Sequence, residues 1–277
     1  MMQTTRPPRT ADVTRPVDQA HGLRQMFSTR VLRFVPVVSN PQVIFAGVIL
    51  ERLCAAYAGY GLRTLVVDAG ERARPPSELA NFDLSEGVET LSEHVCYLPG
   101  KGLPLRHVDA QGNSGALVDA LADAAPHVDV VILHAPASEL VRVLGQRSRG
   151  HNVRPLVFTD ENAAGITHAY AAVKVMAQRA RWMAYDLVVC AGPGSRAGTQ
   201  IAQRMAHCAD SFLGAAQHDC QVINPLEPAT QDPSRAFLDM AADLLRCALP
   251  HTLGDSAFDH LVSPGAALPS RRSPVFN

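Results

Sequence analysis

From residue 31 to about residue 250 the chain alternates strand-length apolar runs with helix-length amphipathic ones, and few folds tolerate that order. Val31–Ser39 (VLRFVPVVS) is apolar almost throughout, the pattern of a strand buried on both faces rather than on one. Similar runs recur at Leu62–Asp68, Glu93–Leu98, Val128–His134, Arg154–Thr159, Tyr185–Ala191 and Cys220–Ile223. Between the first two lies Val48–Tyr60, which sets Leu50, Leu53, Cys54 and Tyr57 on one helical stripe and ends at Gly61. Further helices are expected from about Ser77, over Ser114–Ala125, Leu140–Gln146, Gly165–Ala180, Thr199–Ala216 and Arg235–Ala248. Repeated strand–helix units with apolar strands require a mainly parallel sheet covered on both faces, an α/β three-layer sandwich. No internal repeat or low-complexity segment interrupts it.

Composition narrows the function classes. With 277 residues and 47% hydrophobic content the chain can bury a substantial core. A net charge of -1 gives no global attraction to nucleic acid or anionic membrane. Cys54, Cys96, Cys190, Cys208, Cys220 and Cys247 show no CxxC spacing, which reads as buried thiols in a reducing cytosol. His207 with Cys208, and His218 with Cys220, do not make a four-ligand set, so no metal is expected. No run approaches 18 apolar residues and no signal-peptide core stands near the start, so a soluble, cytoplasmic protein is expected. Residues 1–16 form a Pro/Arg-rich tail, and the chain turns Gly/Pro/Ser-rich again over 251–277; both are expected to be mobile.

Residues 17–28 read as a short helix. Asp18 is a plausible N-cap, and Ala20, Leu23 and Phe27 share one face. So short a helix is unstable alone and needs a surface to fold on, where Gln19 and Arg24 would be presented. The main domain, 31–250, opens with a strand, a tight loop and a helix, the place for a phosphate-binding loop. That loop reads Ser39-Asn40-Pro41-Gln42-Val43-Ile44-Phe45-Ala46-Gly47. Its chemistry is wrong for phosphate: Pro41 has no N–H to offer, Val43 and Phe45 hinder a backbone curl, and Ala46 carries no charge. Asp68 closes the second strand as Asp68-Ala69-Gly70, and His134 ends another in His134-Ala135-Pro136-Ala137.

The pattern Asp18-Gln19-Ala20-x-x-Leu23-Arg24, followed by such a body, resembles FlhG, the MinD-like regulator of flagellar number and placement. The similarity covers roughly residues 17–250 and implies a MinD/ParA-like P-loop NTPase fold. MinD-type ATPases carry Ser-Gly-Lys-Gly-Gly-x-Gly-Lys-Thr, and this chain keeps that spacing without a gap. Ser39 takes the first position, Asn40 and Pro41 the Gly-Lys pair, Gln42 and Val43 the two glycines, and Phe45 the third glycine. Ala46 stands for the phosphate lysine and Gly47 for the magnesium-coordinating Thr. The family's Asp-x-Asp has lost its second acid after Asp68, and its Asp-x-Pro-Ala has His134 in place of the acid. A rival register places Tyr185–Gly194 at that last motif, also without the acid. Farther on, Val157–Glu161, Ile166–Tyr170 and Val173-Lys174 resemble Val-Thr-Thr-Pro-Glu, Ile-Thr-Asp-Ala-Tyr and Ile-Lys, with His168 replacing the Asp. Cys190 and Ala191 supply no base-contacting Asn.

The resemblance implies that the N-terminal segment stimulates FlhF, an SRP-type GTPase. Gln19 would enter the partner's composite active site, while Asp18, Ala20, Leu23, Arg24 and Phe27 dock the helix. It further implies flagellar C-ring proteins and a flagellar transcription regulator as partners, with recruitment to the cell pole or membrane through them. No cofactor is expected, and no direct nucleic acid. ATP with magnesium belongs to the alternative of an active MinD/ParA-type ATPase with atypical motifs. Another alternative is a MinD-like accessory of a different machine, such as cellulose synthesis (BcsQ-like). Two other segments carry less. Gly192–Gly198 follows a strand and precedes a helix but lacks a Lys-Ser/Thr pair. Phe237–Leu249 is amphipathic, yet Asp239 and Asp243 face only Arg246, so membrane contact is expected to be weak or indirect.

Overall fold

In the computed structural model, residues 30–192, 195–227 and 232–253 are described. The segment Asp18–Phe27 therefore lies outside the described residues. The strands are β1 (Arg30–Val38), β2 (Thr64–Asp68), β3 (Glu89–Thr90), β4 (Val95–Pro99), β5 (Val130–Ala135), β6 (Leu156–Asp160), β7 (Ala184–Cys190), β8 (Ala216–Ile223) and β9 (Leu249–Leu253). The helices are α1 (Ala46–Gly59), α2 (Leu103–Arg106), α3 (Ala116–Ala124), α4 (Ala137–Leu144), α5 (Ala163–Ala180), α6 (Arg196–Leu213) and α7 (Arg235–Arg246). They build one sheet in the order β3-β4-β2-β5-β1-β6-β7-β8, with β9 paired to β1. Parallel ladders join β4, β2, β5, β1, β6, β7 and β8, and β3 runs antiparallel to β4.

The strands β1, β2, β5, β6 and β7 are buried on both faces over most of their length, as their unbroken apolar runs require. Along β1, Leu32, Phe34 and Val38 enter the core beneath α3, α4, α5 and α6. Val35 and Val37 enter the opposite core, beneath α1 and α7. Pro36 is tolerated in this central strand because of its parity. Arg33 and Ser39 donate to Asp129 O and Ala135 O on the β5 side, so the missing N–H of Pro36 faces away from β5. On that other side the β6 ladder registers only at Val37 and Leu156.

Three expectations change. The helix from Ser77 is replaced by two 3-10 turns, Leu79–Asn81 and Leu84–Gly87. Asp83 accepts a hydrogen bond from Ser85 N at 2.9 Å, and this local bond competes with a continuous helix. The helix expected over Thr199–Ala216 instead starts at Arg196, capped by Ser195, and stops at Gly214, whose φ of +64° suits glycine. That stop frees Ala216 to begin β8, four residues before the expected strand start at Cys220. The sheet also continues past Pro250, through β9.

Candidate functional site

The loop between β1 and α1 is held by its own side chains. Ser39 N donates to Ala135 O at 2.9 Å, fastening the end of β1 to β5. Asn40 donates through Nδ2 to Phe158 O and to Gly165 O, both at 3.0 Å, and its Oδ1 accepts from Gln42 N at 3.2 Å. Every polar atom of that buried amide is therefore committed to protein. Val43 N closes the turn onto Asn40 O at 3.0 Å, and the Val43 side chain sinks into the core beneath α1. Ile44, next in line, is 76% exposed.

Asp68 and His134 meet because β2 and β5 are neighbours in register at those two positions. His134 Nδ1 lies 2.7 Å from Asp68 Oδ1; Gly70 N donates to the same oxygen at 3.2 Å, and the Tyr97 hydroxyl donates to Oδ2 at 3.2 Å. Burial pushes the Asp68 carboxyl upward, but the His134 bond and charge, with Gly70 and Tyr97, hold it below the usual carboxylate range overall. Burial, followed by the Asp68 charge and hydrogen bond, pushes the Tyr97 phenol up to about 12. The other ring nitrogen, His134 Nε2, is buried and has no hydrogen-bond partner. The ring stacks on Phe158 with centroids 6.0 Å apart. A Cβ at Gly70 would sit 3.0 Å from His134 Cε1 and 3.2 Å from Asp68 Oδ1, so a larger residue there would press on the pair.

These groups line a single cleft of about 200 Å³, which brings together Ser39, Asn40, Pro41, Ala46, Gly47, Asp68 and His134. Glu71 and Arg72 join them at the mouth. Ser39 donates to Glu71 Oε2 at 2.6 Å. Beside it, burial first and Glu71 second raise the Glu139 carboxyl, against the pull of Arg142. Glu71, Tyr97 and Glu139 carry no motif in the sequence, and Gly70 stood out there only as the residue in place of the second acid of Asp-x-Asp. Of the two registers for the histidine motif, only the one through His134 reaches this cleft, for β7 stands two strands from β1.

The other candidates behave differently. In Gly192–Gly198, Pro193 and Gly194 are outside the described residues. Ser195 there caps α6 by accepting from Ala197 N at 3.1 Å, and it donates to the Glu161 carboxylate. Along α7 the apolar stripe Phe237, Met240, Ala241 and Leu244 is packed in the core, so it is not available to a lipid surface. Among the described residues no helix is long and apolar enough to cross a membrane, and no group of three or more His, Cys, Asp or Glu is placed to hold a metal ion.

No family model matches the chain, and no curated protein does. Solved structures do. Cobyrinic acid a,c-diamide synthase of Mycobacterium smegmatis is 18% identical, with 78% of this chain and 94% of that chain covered and a TM-score of 0.50. A plasmid partition protein of Borrelia burgdorferi, solved bound to AMPPNP, is 7% identical, with 78% and 97% covered and a TM-score of 0.50. The chain has a MinD/ParA-like P-loop fold. The MinD cell division protein of Aquifex aeolicus also matches, at 12% identity and a TM-score of 0.49 over 77% of this chain and 97% of that one. At these identities the likeness concerns the fold alone, and function must be argued from the site.

Proposed function

We propose that this chain is an FlhG-like regulator that acts on an FlhF-like SRP-type GTPase through Asp18–Arg24 and does not use ATP itself. The observation that carries the second half is the first βα loop. Its cleft, about 200 Å³, falls below the ~300–1,000 Å³ usual for ligand pockets. Its charges are Asp68 and Glu71 against one cation, Arg72, the wrong balance for a triphosphate. Pro41 offers no N–H, Ala46 no ammonium, and the Asn40 amide is already bonded to Phe158 O and Gly165 O. Such residues do not fit a nucleoside triphosphate or its magnesium.

The first half rests on the Asp-Gln-Ala-x-x-Leu-Arg pattern joined to a MinD/ParA-like body. In this reading Leu23, Ala20 and Phe27 seat a helix on the partner, Asp18 and Arg24 orient it, and the Gln19 amide positions the attacking water. A water-positioning amide or a donor supplied in trans is worth orders of magnitude in GTP turnover. C-ring proteins and a flagellar transcription regulator would be the further partners, and pole or membrane recruitment would run through them. The test is a GTPase assay with the FlhF-like partner. Intact protein is expected to raise turnover at least about ten-fold, and Gln19→Ala or removal of residues 1–28 to abolish the increase. Stimulation that survives Gln19→Ala overturns the role of that residue. Calorimetric titration with Mg-ATP is expected to give no heat of binding, and micromolar affinity overturns the reading of the cleft.

A further inference from the structure

On the flank of the sheet formed by β4 and β3, away from the cleft, lies a groove of about 800 Å³ between the two 3-10 turns, α2 and the end of α3. Its floor is apolar and well packed: Ala80 is 3% exposed and Leu103 1%. Phe82 on its wall is 92% exposed, with Leu84 half-buried beside it.

Acid outweighs base around this groove, where Arg106 is the one lining cation. Asp83 on one wall and Asp123 on the other line it, and Glu78 and Glu86 stand exposed on the 3-10 segment. The hydroxyl and N–H of Ser85 hold the Asp83 carboxyl below the usual range, so it is ionised at neutral pH. The single lining arginine, Arg106, donates to Asn81 Oδ1. Burial, and then Arg106, lower the neighbouring His107, which is therefore neutral at pH 7. We propose that the groove docks an amphipathic helix of a partner protein, its apolar face on Phe82 and Leu84 and its Lys/Arg flanks against Asp83 and Asp123. An acidic rim repels anionic lipid, which argues for a protein rather than a membrane surface. Strand addition has little template here, because β3, at the sheet edge, is two residues long. None of its lining residues belongs to Asp18–Arg24, and the groove would serve a second partner of the same molecule.

The experiment uses the intact protein and a labelled 14-residue Leu/Lys amphipathic helical peptide, followed by fluorescence anisotropy. Saturable micromolar binding is expected, falling as salt rises. Phe82→Ser and Asp123→Lys are each expected to weaken it about ten-fold or more. Both side chains are at the surface, and unchanged thermal melts keep a folding defect from imitating the result. Hydrogen exchange with peptide bound is expected to slow in residues 79–86 and 103–124. No saturable binding, equal binding of a Leu/Glu peptide of the same pattern, or indifference to both substitutions overturns the proposal. So does tighter binding to phosphatidylglycerol vesicles that Phe82→Ser abolishes. GTPase stimulation is read separately, so a failure here leaves that assignment standing.

Discussion

Asp68 and Asp186 are both aspartates in core strands, at opposite ends of the parallel sheet, and the fold treats them in opposite ways. Asp186, near the start of β7, is fully buried and closed in by Arg154 Nε at 2.6 Å, Asp219 N–H at 3.1 Å and His218 Nδ1 at 3.4 Å. Burial raises its carboxyl, and Arg154 only partly draws it back. Asp68, at the end of β2, keeps an opening to the cleft, and its partners win over burial. One end of the sheet is locked, while the end where α/β folds place their ligands retains an unpartnered imidazole nitrogen.

Breaking the locked pair is expected to have the largest effect. Arg154→Met leaves Asp186 buried without its cation and should cost about 3–5 kcal/mol in urea unfolding. The double variant Arg154→Met/Asp186→Leu should recover most of that loss, and a double variant as unstable as the single one breaks the comparison. At the open end, His134→Ala should cost about 1–3 kcal/mol, since it takes the shortest hydrogen bond from a part-buried carboxylate and leaves it only Gly70 and Tyr97.

Titration separates the two carboxyls by sign. Asp68 has a folded pKa below its unfolded value of ~3.9, so its contribution is complete above about pH 5 and is lost as the pH falls through the folded value. The stability gap between wild type and Asp68→Asn should therefore shrink on acidification. Asp186 has a raised folded pKa, so the fold gains from its protonation as the pH drops, and wild type should gain on Asp186→Asn over the same range. Equal slopes for the two variants would erase the distinction. Ser39→Ala should have the smallest effect, within about 1 kcal/mol, because Glu71 at the mouth regains water when the hydroxyl is lost.

The parts of this architecture legible in the sequence are those written locally. Unbroken apolar runs identify β1, β2, β5, β6 and β7, because a strand buried on both faces has no polar alternation to obscure it. The loop residues of the cleft were legible from spacing, since Ser39, Ala46 and Asp68 keep their distances along the chain. Partnership was not. Asp68 and His134 are 66 residues apart, Arg154 and Asp186 32 apart, and only the strand order brings either pair together. The caps Ser195 and Gly214 set the ends of α6, three residues before those of the expected helix. β9 escaped because Pro250, His251 and Thr252 interrupt its apolar character.

The Asn40 amide has a consequence for how the chain folds. Its two acceptors lie 118 and 125 residues downstream, at the end of β6 and in the first turn of α5. The turn after β1 is nearly the first described part of the domain to leave the ribosome, yet it cannot take its final shape until more than a hundred further residues have been made and ordered. Closure of so long a loop comes late in folding. Asn40 thus reports on a long-range step: its side-chain amide finds both acceptors only once β6 and the first turn of α5 are in place.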